Sequence, residues 1–438
     1  MAVGGRRGLV SSASLTLATR IAAFGFSLIT NIILARSLGP DGRGIYAVAV
    51  LVPAIVSLLA QLGIGPANVY FVSKRILDPD ELVGHSLALA LLLGTLGLGI
   101  LLGYALLTGA HSLFGIEATY IIVTALSLPF SLFTAFLQGL LQGVERFAHY
   151  NAVLLVQYAS PALCLFVALV IVRAGAMGAV ASWTAAAIIT AFAALYSATT
   201  VARISVRLRR STLSQLLRFG MISYLGSVTS FVNYRFDVLI VNLFAGTRQV
   251  GLYAVGTGLA EVVWYLANAA GIVLAPRVAS TRGEEGDRIT AMVCRVVTLL
   301  AIVFGGLLAV AAPFVVVLFF GEAFAESAWA VWLLLPGIIT FSVARVLSMY
   351  LLGRNRLKVD MVASFAGLVV TLALDLILIP RYGFRGAAVA STIAYTCTMA
   401  VDLRWVVRNS TMSLSDMLIA RPSDVRLLIR RMMAMRVA

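Results

Sequence analysis

The chain has 438 residues, 61% hydrophobic and only 12% charged, where a soluble domain carries roughly 25% charged residues; its mean hydropathy is +1.00. These figures exclude a soluble enzyme. About 267 apolar residues, at ~20 per bilayer-crossing helix, suffice for about twelve spans and leave no room for a folded domain outside the membrane.

In chain order the apolar runs predict spans over 14–34, 45–72, 82–107, 113–137, 150–172, 177–202, 217–244, 250–275, 289–320, 328–352, 358–380 and 385–407. The opening Arg6-Arg7 and its apolar run resemble a signal peptide, but no A-x-A cleavage site follows and Arg20 interrupts the run, so it is read as the first retained span. With the N-terminus set in the cytoplasm, 22 of the 33 Lys and Arg fall on inside segments, six on outside connectors and five within spans. Cytoplasmic loops hold such an excess, so both termini are expected inside. The net charge of +15, which in a soluble chain would point to nucleic acid, is then topology and attraction to an anionic inner leaflet; no nucleic acid partner is expected. The two richest stretches are 203–218 (RISVRLRRSTLSQLLR) and the tail 408–438. Both mix arginines with Leu, Ile or Met at helical spacing and read as amphipathic helices on the inner membrane surface. Cys164, Cys294 and Cys397 stand far apart inside apolar segments and predict neither disulfides nor a zinc site. No metal or other cofactor is expected.

An internal repeat organises the spans. Shifted by 207 residues, Gly39…Gly44-Ile45-Tyr46-Ala47-Val48 falls on Gly246…Gly251-Leu252-Tyr253-Ala254-Val255, with five identities in ten positions. Leu141-Gln142-Gly143…Arg146 echoes Leu351-Leu352-Gly353…Arg356, and Gly175…Gly178 with Val180-Ala181-Ser182 echoes Gly383…Gly386 with Val389-Ala390-Ser391. The predicted fold is therefore an all-α polytopic membrane protein of about twelve helices in two six-helix lobes. An even number of spans per copy makes the lobes parallel, related by an axis along the membrane normal. The expected division is an N-terminal lobe over 1–202, a basic cytoplasmic linker over 203–218, a C-terminal lobe over 217–407 and a basic tail over 408–438. Proteins so built bind cargo between the lobes and rock one against the other.

Charge within a bilayer costs commonly ~2.5–3.5 kcal/mol on insertion scales, which makes each ionisable residue in a span a functional candidate. Arg20 lies in span 1, Arg235 and Asp237 in span 7, Glu261 in span 8, Arg345 in span 10 and Asp375 in span 11. Arg20, Arg235 and Arg345 are expected to bind substrate, because a guanidinium is always charged and grips phosphate bidentately. Asp237, Glu261 and Asp375 are expected to serve coupling or gating. A plainer reading stands beside these: Glu261 pairs with Arg235 or Arg345 simply to neutralise buried charge. Arg295, Asp360, Asp402 and Arg404 lie near span ends and are read as snorkelling to the interface. Polar and aromatic side chains of the spans, among them Gln138, Asn233, Tyr234, Tyr253 and Trp264, suit sugars, or else anchor and glue the helices.

The run Ala35-Arg36-Ser37-Leu38-Gly39-Pro40-Asp41-Gly42-Arg43-Gly44-Ile45-Tyr46-Ala47 resembles the first loop of bacterial polysaccharide-biosynthesis membrane proteins. These are the oligosaccharide flippases of the Wzx type, in the superfamily that also holds the multidrug and toxin extrusion transporters. Tyr382-Gly383-Phe384-Arg385-Gly386-Ala387-Ala388-Val389-Ala390 is similar to that family's span 11–12 turn. The resemblance implies translocation of a polyprenyl-diphosphate-linked oligosaccharide (an O-antigen, capsule or exopolysaccharide repeat unit) across the bacterial inner membrane. Sugar and diphosphate would cross through a cationic cavity while the polyprenyl tail trails in lipid. It also implies membrane lipids, a polysaccharide polymerase and a chain-length regulator as partners, and it carries over no substrate residue by motif. The lipid II flippase branch is similar too, but has fourteen spans, for which this chain has no room. Lys74 and Lys358 follow Ser73 and Leu357, so no phosphate-binding G-x-x-x-x-G-K-[ST] loop exists and ATP is not the direct drive. With outside connectors of about ten residues, a catalytic loop has no place and no enzyme is expected. The rival expectation is a cation-coupled multidrug exporter, in which Asp237, Glu261 and Asp375 outweigh the arginines. A third is a non-transporting scaffold of a polysaccharide-assembly complex.

Overall fold

A chain this apolar must satisfy its backbone hydrogen bonds internally, which in lipid leaves helices or closed barrels. The computed structural model describes residues 2–108, 112–203, 209–281, 283–419 and 421, with side chains described except at 2–14, 222, 223, 225–227, 230, 272 and 273. Among the described residues it is all-helical apart from one hairpin of two-residue strands, β1 (Ser112–Leu113) and β2 (Ile116–Glu117). Before the hairpin come α1 (Ala2–Gln61), α2 (Ile64–Ser73) and α3 (Pro79–Thr108); after it come α4 (Ala118–Ala125), α5 (Leu128–Gly143), α6 (Phe147–Leu165) and α7 (Gly175–Thr199). The second half holds α8 (Arg210–Ala260), α9 (Trp264–Ser280), α10 (Glu284–Phe320), α11 (Ser327–Gly353), α12 (Leu357–Tyr382), α13 (Phe384–Asn409) and the short α14 (Leu414–Leu418).

Among the described residues ten helical stretches are long and apolar enough to cross a membrane. Two of them, Leu15–Gln61 and Phe231–Ser280, are 47 and 50 residues long, more than twice the ~20 residues a crossing needs. Each is broken by a glycine outside helical geometry, Gly39 in the first and Gly246 in the second. The sequence places a boundary between two spans at each of these glycines, which reconciles ten stretches with about twelve expected crossings.

Left-handed backbone recurs at matched positions of the two halves. Gly39 (φ 64°) and Gly246 (φ 82°) are related by the 207-residue shift of the repeat. Glu145 (φ 59°) and Asn355 (φ 57°) close the same turn: the N–H groups of Val144, Glu145 and Arg146 donate to the carbonyls of Leu140, Gln142 and Leu141, and those of Arg354, Asn355 and Arg356 to Tyr350, Leu352 and Leu351. Gly175 (φ 62°) matches Gly383 (φ 57°), and Gly115 (φ 80°) matches Gly321 (φ 101°); the last pair has no echo in the sequence. A residue with a Cβ is disfavoured in this region, so four coincidences at nearly one offset support a duplicated backbone.

The chain divides into two compact units, Met1–Val228 with Gly246–Gly251, and Thr229–Ala245 with Leu252–Ala438. In the first, α1 packs on α6 and α7, and α5 packs on α2, α3 and α7. Ile64, Leu82, Phe136, Leu137, Val153 and Ala194 lie in its core, where Asn68 is fully enclosed and donates to Ser86 Oγ at 3.0 Å and to the Phe136 carbonyl at 3.1 Å. In the second, α13 packs on α11 and α12, and α11 on α9 and α10, around Leu274, Cys294, Val346, Leu347, Leu351 and Val406.

Of the basic stretch 203–218, residues 204–208 lie outside the described residues; the rest is docked on the first unit. The Arg209 N–H donates to His85 Nε2 at 3.0 Å, Thr212 Oγ1 donates to Glu81 at 2.7 Å and Leu216 is buried in the core. Of the amphipathic tail expected over 408–438, α14 packs on α10 and buries Met417, and residues 420 and 422–438 lie outside the described residues. Ser413 caps α14 in a reciprocal bond with Asp416. The Ser413 hydroxyl and backbone N–H, helped by Arg421 and Arg295, hold the Asp416 carboxyl below its usual range. The cap is therefore complete above the ordinary carboxylate pKa and is lost as pH falls through the lowered one.

Asp287 ties α10, α11 and the segment after α13 together. Its Oδ1 accepts from Tyr350 Oη at 2.9 Å and Arg354 Nη2 at 3.0 Å, and its Oδ2 from the Thr411 N–H and Oγ1, both at 3.1 Å. Asp287→Ala strands these donors and is expected to cost about 3 kcal/mol, lowering the thermal midpoint of the detergent-purified protein by several degrees. An unchanged midpoint contradicts that role.

Candidate functional site

The second unit gathers most of the ionisable candidates. Segment 229–245 of α8 carries Arg235 and Asp237, a single tight turn between α8 and α9 carries Glu261, and α11 and α12 contribute Arg345 and Asp375. Arg235 Nη2 pairs with Glu261 Oε2 at 3.0 Å, the two side chains being 40% and 22% exposed. Of the two partners considered for Glu261, the structure selects Arg235. Arg235 and Asp237 are two residues apart and point to different helix faces; Asp237 is buried, and its charge is met by hydrogen bonds instead. Its Oδ2 accepts from Tyr253 Oη at 2.5 Å and from Ser391 Oγ at 3.5 Å, and its Oδ1 accepts from the Val238 N–H at 2.7 Å. Nearby, Thr371 Oγ1 donates to Asn233 Oδ1 at 2.7 Å.

Tyr234, Arg235, Asp237, Tyr253, Glu261 and Trp264 border one hollow, closed by Leu334, Ile338 and Tyr395, with about 10 Å³ of free space, roughly enough for one water. Asp375 is fully buried, and neither carboxylate oxygen has a hydrogen-bond partner among the described residues.

Arg345 stands over an aromatic cluster. Its guanidinium carbon lies 5.5 Å from the Tyr234 ring centroid, 5.2 Å from Trp264 and 5.3 Å from Phe341, and its Nη1 donates to Asn268 Oδ1 at 3.3 Å. A cation over an aromatic face gains about 0.5–2 kcal/mol, most where water is excluded. Tyr234 and Trp264 border the Arg235 hollow as well, so the two arginines share one aromatic wall. This arrangement offers fixed positive charge beside rigid rings, suited to a phosphate next to a sugar.

Arg20 belongs to the first unit. Its side chain projects exposed from α1 and has no hydrogen-bond or ion-pair partner among the described residues. Two residues expected to snorkel are instead buried. Asp402 is fully enclosed on α13 with both oxygens unpartnered, and Arg295 is 8% exposed and donates Nη1 to the Asp416 carbonyl at 2.5 Å. Snorkelling takes a long stem, which aspartate lacks, and Arg295 finds its acceptor inside the protein. The Asp287 cluster was not signalled by the sequence either; a Glu-Glu-Gly-Asp helix start looks like ordinary first-turn acid.

The comparisons agree with this architecture. Residues 9–282 match the family described as polysaccharide biosynthesis protein. A Shigella flexneri protein provisionally named an O-antigen transporter is 24% identical over 413 residues, 87% of this chain and 95% of that protein. Among solved structures, the lipid II flippase MurJ in an inward closed conformation gives a TM-score of 0.75 at 14% identity, covering 93% of this chain and 89% of that one. An inward-facing multidrug resistance MATE transporter gives 0.67 at 16%, covering 91% and 98%. A transporter of the same superfamily from Pyrococcus furiosus gives 0.62 at 17%, covering 91% and 94%. Fold and helices define a multi-pass helical membrane protein with the fold of these transporters. The chain belongs to the polysaccharide biosynthesis protein family.

The Arg235–Glu261 pair is expected to contribute about 1 kcal/mol, as a half-exposed pair does. In a cycle of Arg235→Ala, Glu261→Ala and the double variant, thermal melts should show the double variant losing less than the sum of the singles. Additive losses contradict the pairing.

Proposed function

We propose that this chain flips a polyprenyl-diphosphate-linked oligosaccharide across the bacterial inner membrane, with both termini in the cytoplasm. The observation that carries the reading is a pair of arginines, Arg235 and Arg345, held on one aromatic wall within the spans of a polysaccharide biosynthesis protein. Guanidinium groups there meet the diphosphate; Arg20 supplies a third from the first unit. The duplicated backbone supports alternating access, in which two parallel six-helix lobes expose a cationic central cavity first to one side and then to the other. Asp237, Glu261 and Asp375 serve coupling or gating: Glu261 holds Arg235 until a diphosphate competes for it, and Asp375, buried without a partner among the described residues, is the group whose charge the cycle changes. No step calls for an enzyme's chemistry.

Deleting the gene should make lipid-linked precursor accumulate on the cytoplasmic face and abolish one surface polymer; normal surface polysaccharide in the deletion strain counts decisively against the reading. Arg20→Ala and Arg235→Ala should each abolish complementation at unchanged protein level, and full activity in both removes the cationic cavity.

The buried, unpartnered carboxylate of Asp375 favours a second reading, a cation-coupled multidrug exporter. In that case expression in a pump-deficient host raises resistance to cationic dyes, and Asp375→Asn abolishes it while Arg235→Ala does not.

A further inference from the structure

We propose that the first unit carries a sugar subsite: a neutral polar hollow walled by Gln138, Gln157, Trp183, Ser131 and Thr134 that takes one uncharged pyranose residue of the cargo. The inference rests on the reading that the cargo is a lipid-linked oligosaccharide, and it adds where, apart from the arginines, its sugar is held.

The hollow has about 100 Å³ of free space between α5, α6 and α7, and Lys, Arg, Asp and Glu are absent from its wall. Gln157 lies about 15 Å along α6 from Phe147 at ~1.5 Å per residue, half the ~30 Å of a hydrocarbon core. Exposed amides at that depth are costly against lipid, so this face meets water or a polar ligand. Gln138 Nε2 donates to Gln157 Oε1 at 2.9 Å. That bond leaves Gln138 Oε1 and the Gln157 amide nitrogen without a partner among the described residues, one acceptor and one donor side by side.

Thr134 is one of several buried groups without a partner among the described residues, and it is the one that lines this hollow. It is 4% exposed and its hydroxyl has no partner among the described residues, whereas Thr190 in the same wall bonds back to the Ala186 carbonyl at 2.7 Å. An unpaired buried hydroxyl is destabilising unless something else supplies its partner. A Gln–Gln bond serving only as helix glue explains neither that hydroxyl nor the open space.

The chemistry of the wall selects the ligand class. A charged ligand finds no counter-charge, and an apolar one leaves the amides unsatisfied. A pyranose offers adjacent hydroxyls to the two amides and an apolar C–H face to the Trp183 ring, an amphipathic match.

The test is binding by the full-length chain, purified in detergent, to two probes: undecaprenyl diphosphate, and lipid-linked oligosaccharide extracted from a strain lacking the gene. Gln157→Ala and Trp183→Ala should each weaken the sugar-bearing probe about tenfold and leave undecaprenyl diphosphate unchanged. Trp183→Phe should keep most of the affinity. Thr134→Val should weaken the sugar-bearing probe while the thermal midpoint holds or rises, which a purely structural hydroxyl would not do. Variants that bind both probes as the parent does, or lose both equally, overturn the subsite alone. A parent chain that binds neither probe overturns the cargo reading and the subsite with it.

Discussion

The bilayer interior donates and accepts no hydrogen bonds, and this one property shapes every level of the molecule. It forces the backbone into helices, and it obliges each polar side chain within a span to find its partner in the protein or in something the protein carries. Many do so: Thr124 gives its hydroxyl to the Ala49 carbonyl, Asp237 collects Tyr253, Ser391 and its neighbour's amide, and Arg235 takes Glu261. Several buried side-chain atoms have no partner among the described residues, those of Asp375 and Asp402 in the second unit and Thr134 in the first among them; a carboxylate left so is costly unless a proton or an ion meets it.

The two units answer the constraint with different chemistry. The second concentrates charge, with two arginines on a shared aromatic wall and three carboxylates nearby. The first encloses a hollow lined by amides, hydroxyls and one indole. Under the proposed function, the diphosphate of the cargo is matched to the charged wall and an uncharged sugar to the neutral hollow. Tyr253 illustrates how the site is organised: it appears among residues suited to sugars, yet its hydroxyl is spent on Asp237, fixing a carboxylate beside the arginine rather than meeting cargo itself.

Features that depend on local backbone were legible in the sequence. Long apolar runs located the spans, and the 207-residue echo located both left-handed glycines, because Gly39 and Gly246 are the residues the conformation demands. The Gly115 and Gly321 match was hidden because their flanking residues diverged while the conformation persisted. Candidate charges were legible because any ionisable residue in a span stands out. The Arg235–Glu261 pair stood among the alternatives the sequence offered; the surroundings of Arg345 did not, since its box joins α8, α9 and α11, and no spacing along one helix encodes a wall built from three. Asp402 stands near a span end in the sequence, but reaching the interface depends on stem length, which aspartate lacks.

The most direct measurement places the purified chain in liposomes whose inner leaflet carries fluorescently labelled lipid-linked oligosaccharide. Appearance of label at the outer leaflet is followed with a membrane-impermeant quencher. A flippase moves label outward at a rate that scales with protein and falls to the protein-free level when Arg235 and Arg345 are both replaced by alanine. A rate equal to that of protein-free liposomes for the unmodified chain, or one indifferent to both arginines, contradicts the account.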